Sequence, residues 1–243
     1  MGALSCAPDP HPRCLKVSLF ISCLVDTLAP QIGVATVELL RRAGCTVGFD
    51  PQQTCCGQPA FNAGHRREAC RVARGVLDAL GSGDEIIVVP SGSCAAMLVR
   101  LPSLFEEGPD HQRACSIAER TRELSQFLVR DLQVTSLGAR WPGKVTWHDA
   151  CHTLRELGVR SEPRQLLAEV SDLEQVEAVG CDTCCGFGGT FAVKHARSEE
   201  HTSELQSRRN LVCLFLLEKK NVSYPVQTLT LYHLLSMCPA CVC

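Results

Sequence analysis

The residues best suited to chemistry are two vicinal cysteine pairs. Cys55 and Cys56 lie in QTCCGQPAFNAGH, residues 53–65, and Cys184 and Cys185 in DTCCGFGGTFAVKH, residues 182–195. Adjacent cysteines rarely bridge each other, because the short link strains a disulfide. They suit a ligand that takes two sulfurs at once. Glycine follows each pair (Gly57, Gly186) and lets backbone N–H groups approach a sulfur-rich ligand closely. Histidine follows a little later in both stretches, as His65 and His195.

The pairs belong to a repeat. KVSLFISC (16–23) and KVTWHDAC (144–151) each place a cysteine, Cys23 or Cys151, seven residues after a lysine. The step from that cysteine to the pair is 32 residues in the first copy and 33 in the second. Spacings that agree this closely mark a duplicated module.

The elements that must position these thiols are legible in the first copy. KVSLFI reads as a short buried strand, QIGVATVELLRRAG as a helix ending in arginines and glycine, and CTVGF as a second strand. HRREACRVARGVLDALG reads as a helix stopped by Gly81, DEIIVVP as a third strand, and SGSCAAMLVRL as a short helix capped by Ser91 or Ser93. Alternating strands and helices predict an α/β fold with mostly parallel sheets. The duplication predicts two tandem, pseudo-symmetric α/β domains, the first over 16–140 and the second, truncated, over 141–196. Cys23, Cys55–Cys56 and Cys94 then each follow a strand. In parallel sheets, ligands bind beyond the carboxyl ends of the strands, so the four should converge on one edge.

The composition narrows the function. Of 243 residues, 17 are cysteine, 45% are hydrophobic and 5% aromatic, and the net charge is −2. Without a basic stripe and interleaved aromatics, a nucleic-acid partner is not expected. The start of the chain, MGALSCAPDPHPRCLK, lacks the apolar core of a secretion signal, and apolar runs such as EIIVVP are too short to span a bilayer. A cytoplasmic protein is expected, in which clustered thiols mean metal or redox chemistry. No nucleotide-binding loop is present; GFGG (186–189) lacks the required strand-loop-helix spacing.

Buried apolar cysteine explains Cys45 and Cys70 but not the loop-borne set. Zinc would accept four cysteines, yet vicinal ligands pinch the angle at one metal, and two adjacent thiolates are better placed on different iron atoms of a cluster. A zinc-structured interaction module remains the alternative. Cys181 has no counterpart in the first copy and reads as a spare thiol. In HDACH, His148 and His152 flank Cys151; with no recognisable oxyanion hole, tuning of sulfurs by hydrogen bonds is expected there rather than nucleophilic catalysis. His65 and His195 are candidates for the same role, and RELG (155–158) for solvated surface or a partner contact.

The end of the chain has a different character. RSEEHTSELQS, residues 197–207, resembles the in-frame translation of a common sequencing-library adapter, and 210–213 with 216–220 resemble its far end. Residues 197–243 are therefore expected to be non-native read-through, with Cys213, Cys238, Cys241 and Cys243 carrying no functional information. The step from Cys56 to Cys94 is 38 residues, and an equal step from the second pair lands in this tail.

A cysteine, thirty-odd residues, Cys-Cys-Gly, thirty-odd residues and a further cysteine, in two copies, resembles the cysteine-rich CCG domain. That domain occurs in heterodisulfide reductase and in the iron–sulfur subunits of glycolate oxidase and glycerol-3-phosphate dehydrogenase. The stretches CLVDTLAPQIGVATVELL, PSGSCAAM and HDACHTLRELGV extend the likeness over 16–196. The resemblance implies a two-domain iron–sulfur electron carrier in a multisubunit complex that oxidises lactate or another 2-hydroxyacid. Its partners would be a ferredoxin-like iron–sulfur subunit and a third protein. It implies a 4Fe-4S-type cluster, non-cubane in some relatives, with ligands Cys23, Cys55, Cys56 and Cys94, then Cys151, Cys184 and Cys185. A heterodisulfide or thiol reductase whose cluster is itself catalytic is the alternative. The first copy departs from the family pattern in having Met97 where C-x-x-C is the fuller form, and the second lacks its final cysteines.

Overall fold

A computed structural model describes residues 15–184. In chain order these form β1 (Leu15–Leu19), α1 (Cys23–Leu28), α2 (Gln31–Arg42), β2 (Cys45–Gly48), α3 (Gln58–Asn62), α4 (Arg66–Leu80), β3 (Ile86–Val89) and α5 (Gly92–Arg100). Then follow α6 (Pro109–Arg120), β4 (Thr121–Glu123), α7 (Leu124–Gln126), β5 (Arg140–Val145), α8 (Cys151–Arg155), α9 (Ser161–Ala168) and β6 (Ser171–Gln175). The fold is α/β. One sheet has the order β2-β1-β3-β4, a second pairs β5 with β6, and every pairing is parallel.

The strands are short and apolar because both faces of the larger sheet are covered, the condition under which parallel strands lose polar alternation. Successive residues still point to opposite sides. Val88 joins a core with Val17, Leu19, Leu39 and Leu40, whereas Ile87 and Val89 join one with Val76, Leu77, Leu98 and Ile117. The first core also takes in Val145, Trp147, Leu166 and Leu167, so the segment after residue 140 closes one face of the first sheet. β4 has no counterpart among the elements expected from sequence: three residues, TRE, carry no readable period, and pairing with β3 alone makes them a strand.

Order along the sheet also fixes where a ligand could lie. β1 sits between β2 and β3, so the chain runs to one side after β1 and then crosses to the other. The connections leaving β1 and β3 therefore diverge and open a crevice at their carboxyl ends.

Candidate metal centre

Four of the predicted thiols meet in that crevice. Cys23 is the first residue of α1, whose start is fixed by Ser22: its Oγ accepts from Val25 N at 3.2 Å. Cys94 lies in the first turn of α5, just past β3. Ser91 holds the cap position as expected, but its hydroxyl meets Ser93 Oγ at 3.4 Å instead of capping the helix. Cys55 and Cys56 precede Gly57, which stands at φ +87°, where an added Cβ would also lie 3.3 Å from Ala69 O. That left-handed turn is what glycine permits.

The sulfurs form a continuous chain. Cys23 lies within hydrogen-bonding reach of Cys55, Cys55 of Cys56, and Cys56 Sγ lies 3.3 Å from Cys94 Sγ. Burial deepens along it: Cys23 is exposed, Cys55 half-buried, and Cys56 and Cys94 are 2% and 6% exposed. None of the described cysteines forms a disulfide. Gln53 ties the pair's loop to β1, donating from Nε2 to Leu19 O at 2.5 Å and accepting from Ile21 N at 3.1 Å. Its amide thus acts as a short extension of the sheet ladder, two residues before the pair.

Packing neutral thiols together makes Cys23, Cys55 and Cys56 harder to ionise. Hydrogen bonding to Cys56, then burial, pushes Cys55 far above its ordinary value of 9.0. For Cys56 the bond from Cys55 lowers the value, but the bond to Cys94, burial and the charge of Cys94 outweigh it. Cys23, although exposed as a residue, is raised first by burial of its thiol and next by its bond to Cys55. Metal-free chain should therefore alkylate slowly at Cys55 and Cys56, about tenfold or more below an ordinary thiol at pH 8. The rate should still climb past pH 9, followed by iodoacetamide labelling and mass spectrometry; a plateau near 8.5 would show that the thiols are not stacked. The linkage has a definite sign. Unfolded chain ionises these thiols near pH 9 while the fold keeps them protonated, so the metal-free fold loses stability as pH rises above that point.

The donor set fits a sulfur-ligated metal group: four thiols, a glycine turn and a buried floor. A bound cation would supply the countercharge that ionisation needs. Among the described residues, no group of three or more His, Cys, Asp or Glu is arranged to hold a metal ion. Met97 is buried in the helical core beside Cys94. Cys45 is buried in β2, and Cys70 Sγ donates to Leu104 O at 3.1 Å.

The second set lies across the molecule's other sheet. Cys151 opens α8, beyond the end of β5, and Cys184 is exposed at the limit of the described residues. Cys185, His195 and the tail at 197–243 lie outside them. The two described segments are joined by Arg164 of α9. Its Nη1 and Nη2 donate to the two carboxylate oxygens of buried Asp149 at 2.9 Å each, and its Nε to Glu177 Oε1 at 2.6 Å. Trp147 Nε1 donates to the same Asp149 at 2.9 Å. Cys181 is part of this network, not a spare thiol in isolation: its Sγ donates to Glu177 Oε2 at 3.2 Å and its carbonyl accepts from Asp149 N at 2.8 Å. The Arg164 guanidinium holds Glu177 below the usual carboxylate range.

The histidines separate. His65 occupies the cap position of α4 without capping it and is exposed. Burial lowers His148 below its ordinary value, against the pull of Asp149 and Asp182, which favours the neutral imidazole. His152 turns toward the first set, with Nε2 3.4 Å from Gln58 Nε2. Within RELG, Glu156 makes an internal contact, accepting from Arg100 Nη2 at 2.6 Å. Gln53, Gln58 and Arg164 are the residues that sequence reasoning missed. Gln53 and Gln58 flank the pair, which is a signal; Arg164 has none.

Comparison with known proteins shows what the chain is similar to. The family described as the cysteine-rich domain (CCG) matches residues 17–99 and 145–213. The chain is 47% identical over 181 residues to a protein named lactate utilization protein A from Exiguobacterium sp. (strain ATCC BAA-1283 / AT1b), covering 74% of each. It is 48% identical over 181 residues to a protein of the same name from Geobacillus kaustophilus (strain HTA426), covering 74% of this chain and 75% of that one. To its namesake from Bacillus subtilis (strain 168) it is 45% identical over 187 residues, 76% of this chain and 78% of the relative.

Proposed function

The chain belongs to the cysteine-rich CCG-domain family, and on that footing we propose that it is an iron–sulfur electron-transfer subunit of a complex that oxidises lactate or a related 2-hydroxyacid. The observation that carries this reading is the chain of four sulfurs, Cys23–Cys55–Cys56–Cys94, at the divergent end of a parallel sheet. Ligands strung in a row, two of them vicinal, suit a centre with several metal atoms better than one tetrahedral ion. The four would hold a 4Fe-4S-type cluster, which supplies one-electron transfer when bound, and the non-cubane form is consistent with the vicinal pair. Cys151, Cys184 and Cys185 would belong to a second such site.

The protein's own residues have separate tasks. Cys56 and Cys94, with the apolar core beneath them, exclude water, and burial around sulfur ligands is one of the levers on reduction potential. Cys23 faces outward beside Leu24 and Leu28, which are 42% and 62% exposed, so a partner would approach from this edge. We assign that partner as a ferredoxin-like iron–sulfur subunit, with a third subunit completing the complex. We further assign 16–140 and 141–196 to tandem domains, 197–243 to non-native sequence, and the protein to the cytoplasm. Among the described residues, no helix is long and apolar enough to cross a membrane.

The test is metal analysis of the full chain, reconstituted without oxygen, beside Cys55→Ser/Cys56→Ser. Iron and acid-labile sulfide should be present in matched amounts. The double variant should lose about half of both if the second set also binds, and nearly all if it does not. Zinc without sulfide, or iron indifferent to the substitutions, would point to a structural module instead.

A further inference from the structure

Three helices that carry or closely follow the cysteines are joined by polar links that the thiols themselves do not make. Gln58, the first residue of α3, follows the Cys55–Cys56 pair and Gly57. Its Nε2 donates to Ser93 O, one residue before Cys94 on α5, at 3.2 Å. The same nitrogen lies 3.4 Å from Nε2 of His152, one residue after Cys151 on α8. From the C-cap of α8, Glu156 accepts from Arg100 Nη2 at the end of α5 at 2.6 Å. Arg100 closes the circuit by stacking its guanidinium over Phe61 of α3, 5.6 Å from the ring centre. Each pair among α3, α5 and α8 therefore has its own link. Close packing adds to them, since Gly92 of α5 leaves no room for a Cβ beside the Thr153 side chain of α8.

We propose that this ring couples the two cysteine sets: the position of α8, which carries Cys151, sets the spacing of Cys56 and Cys94, with Gln58 and His152 as the positioning residues. The first set is held on loops and helix ends, whose placement is otherwise the least constrained part of an α/β fold. Cys56 lies two residues before Gln58, and Cys94 directly follows Ser93. A side chain from the second half reaches that point. In the second copy Phe187 stands where Gln58 does in the first, so its sequence offers no amide at the matching position. Where it concerns a bound cluster, this inference rests on the iron–sulfur reading above; where it concerns the thiols, it does not.

The experiment uses full-length chain with His152→Ala, and His152→Gln, which keeps an acceptor at similar reach. In the metal-free reduced protein, iodoacetamide labelling of Cys56 and Cys94 should quicken about five- to tenfold in His152→Ala, the loss of one hydrogen bond, and return toward the parent rate in His152→Gln. Cys115 on α6, outside the ring, is the internal reference and should not change. Equal labelling of Cys56 and Cys94 in parent and variant, or a parallel rise at Cys115, would overturn the proposal. In protein loaded with iron and sulfide and carrying Cys151→Ser/Cys184→Ser/Cys185→Ser, His152→Ala should still change the paramagnetic spectrum of the remaining site. An unchanged spectrum there would overturn the coupling for the bound form. Failure to load iron at all would count against the electron-transfer reading and leave the labelling result to decide the coupling.

Discussion

Arg164→Met is expected to lower folding stability by about 3–5 kcal/mol, the range for removing one partner of a buried ion pair. Asp149 has a side chain only 2% exposed and receives both Arg164 amino groups, so its charge loses its compensation while staying out of water. For a chain of this size the corresponding fall in Tm is roughly 6–20 °C. Two controls give the result its meaning. Arg164→Lys should recover only part, because an ammonium cannot span both carboxylate oxygens. Arg164→Met/Asp149→Asn should be less destabilised than Arg164→Met alone. A Tm within about 2 °C of the parent, which corresponds to less than 1 kcal/mol, would show that this network is not what holds the Cys181 segment to the Cys151 helix.

Gly92→Ala sets two effects against each other. Alanine is the better helix former by about 1 kcal/mol, so local propensity favours the change. Packing opposes it: the new Cβ would lie 1.7 Å from Thr153 Oγ1 and 2.9 Å from Thr153 Cβ. Rotating Thr153 about χ1 relieves the first contact but not the second. Overpacking of this kind costs about 1–3 kcal/mol, and here it acts at the first residue of α5, where a helix gains least from alanine. Packing should win, with a net loss of stability on denaturant unfolding. Thr153→Ala in the same chain should return part of it. A variant as stable as the parent would mean that α5 and α8 are free to separate. That result would also weaken the case for coupling between the cysteine sets.

Much of this organisation is visible without coordinates. The strands KVSLFI and DEIIVVP read correctly because burial on both faces selects β-branched apolar runs, a local composition. Convergence of Cys23, Cys55, Cys56 and Cys94 follows from each thiol's place just after a strand, once the strands are parallel. The short β4 escapes such a reading because three residues carry no pattern. Cys181 escapes it too, because comparison between copies asks what is shared, and its contacts with Glu177 and Asp149 belong to the second copy alone.

The amino-acid sequence by itself determined the α/β class, the parallel pairing and the set of thiols that share an edge. Those properties depend on residue types and their spacing along the chain. Only the tertiary structure decided that the segment after residue 140 completes the first core, that Arg164 clamps Asp149 to Glu177, and that Gln58 meets His152 across 94 residues of chain. Contacts of that kind arise where helices settle against one another, and the settling depends on side-chain volumes distributed over the whole molecule. No local pattern marks an arginine or a glutamine as one end of such a contact. The chemistry of the site was therefore written in the spacing of its cysteines, and the means of holding it was left to packing.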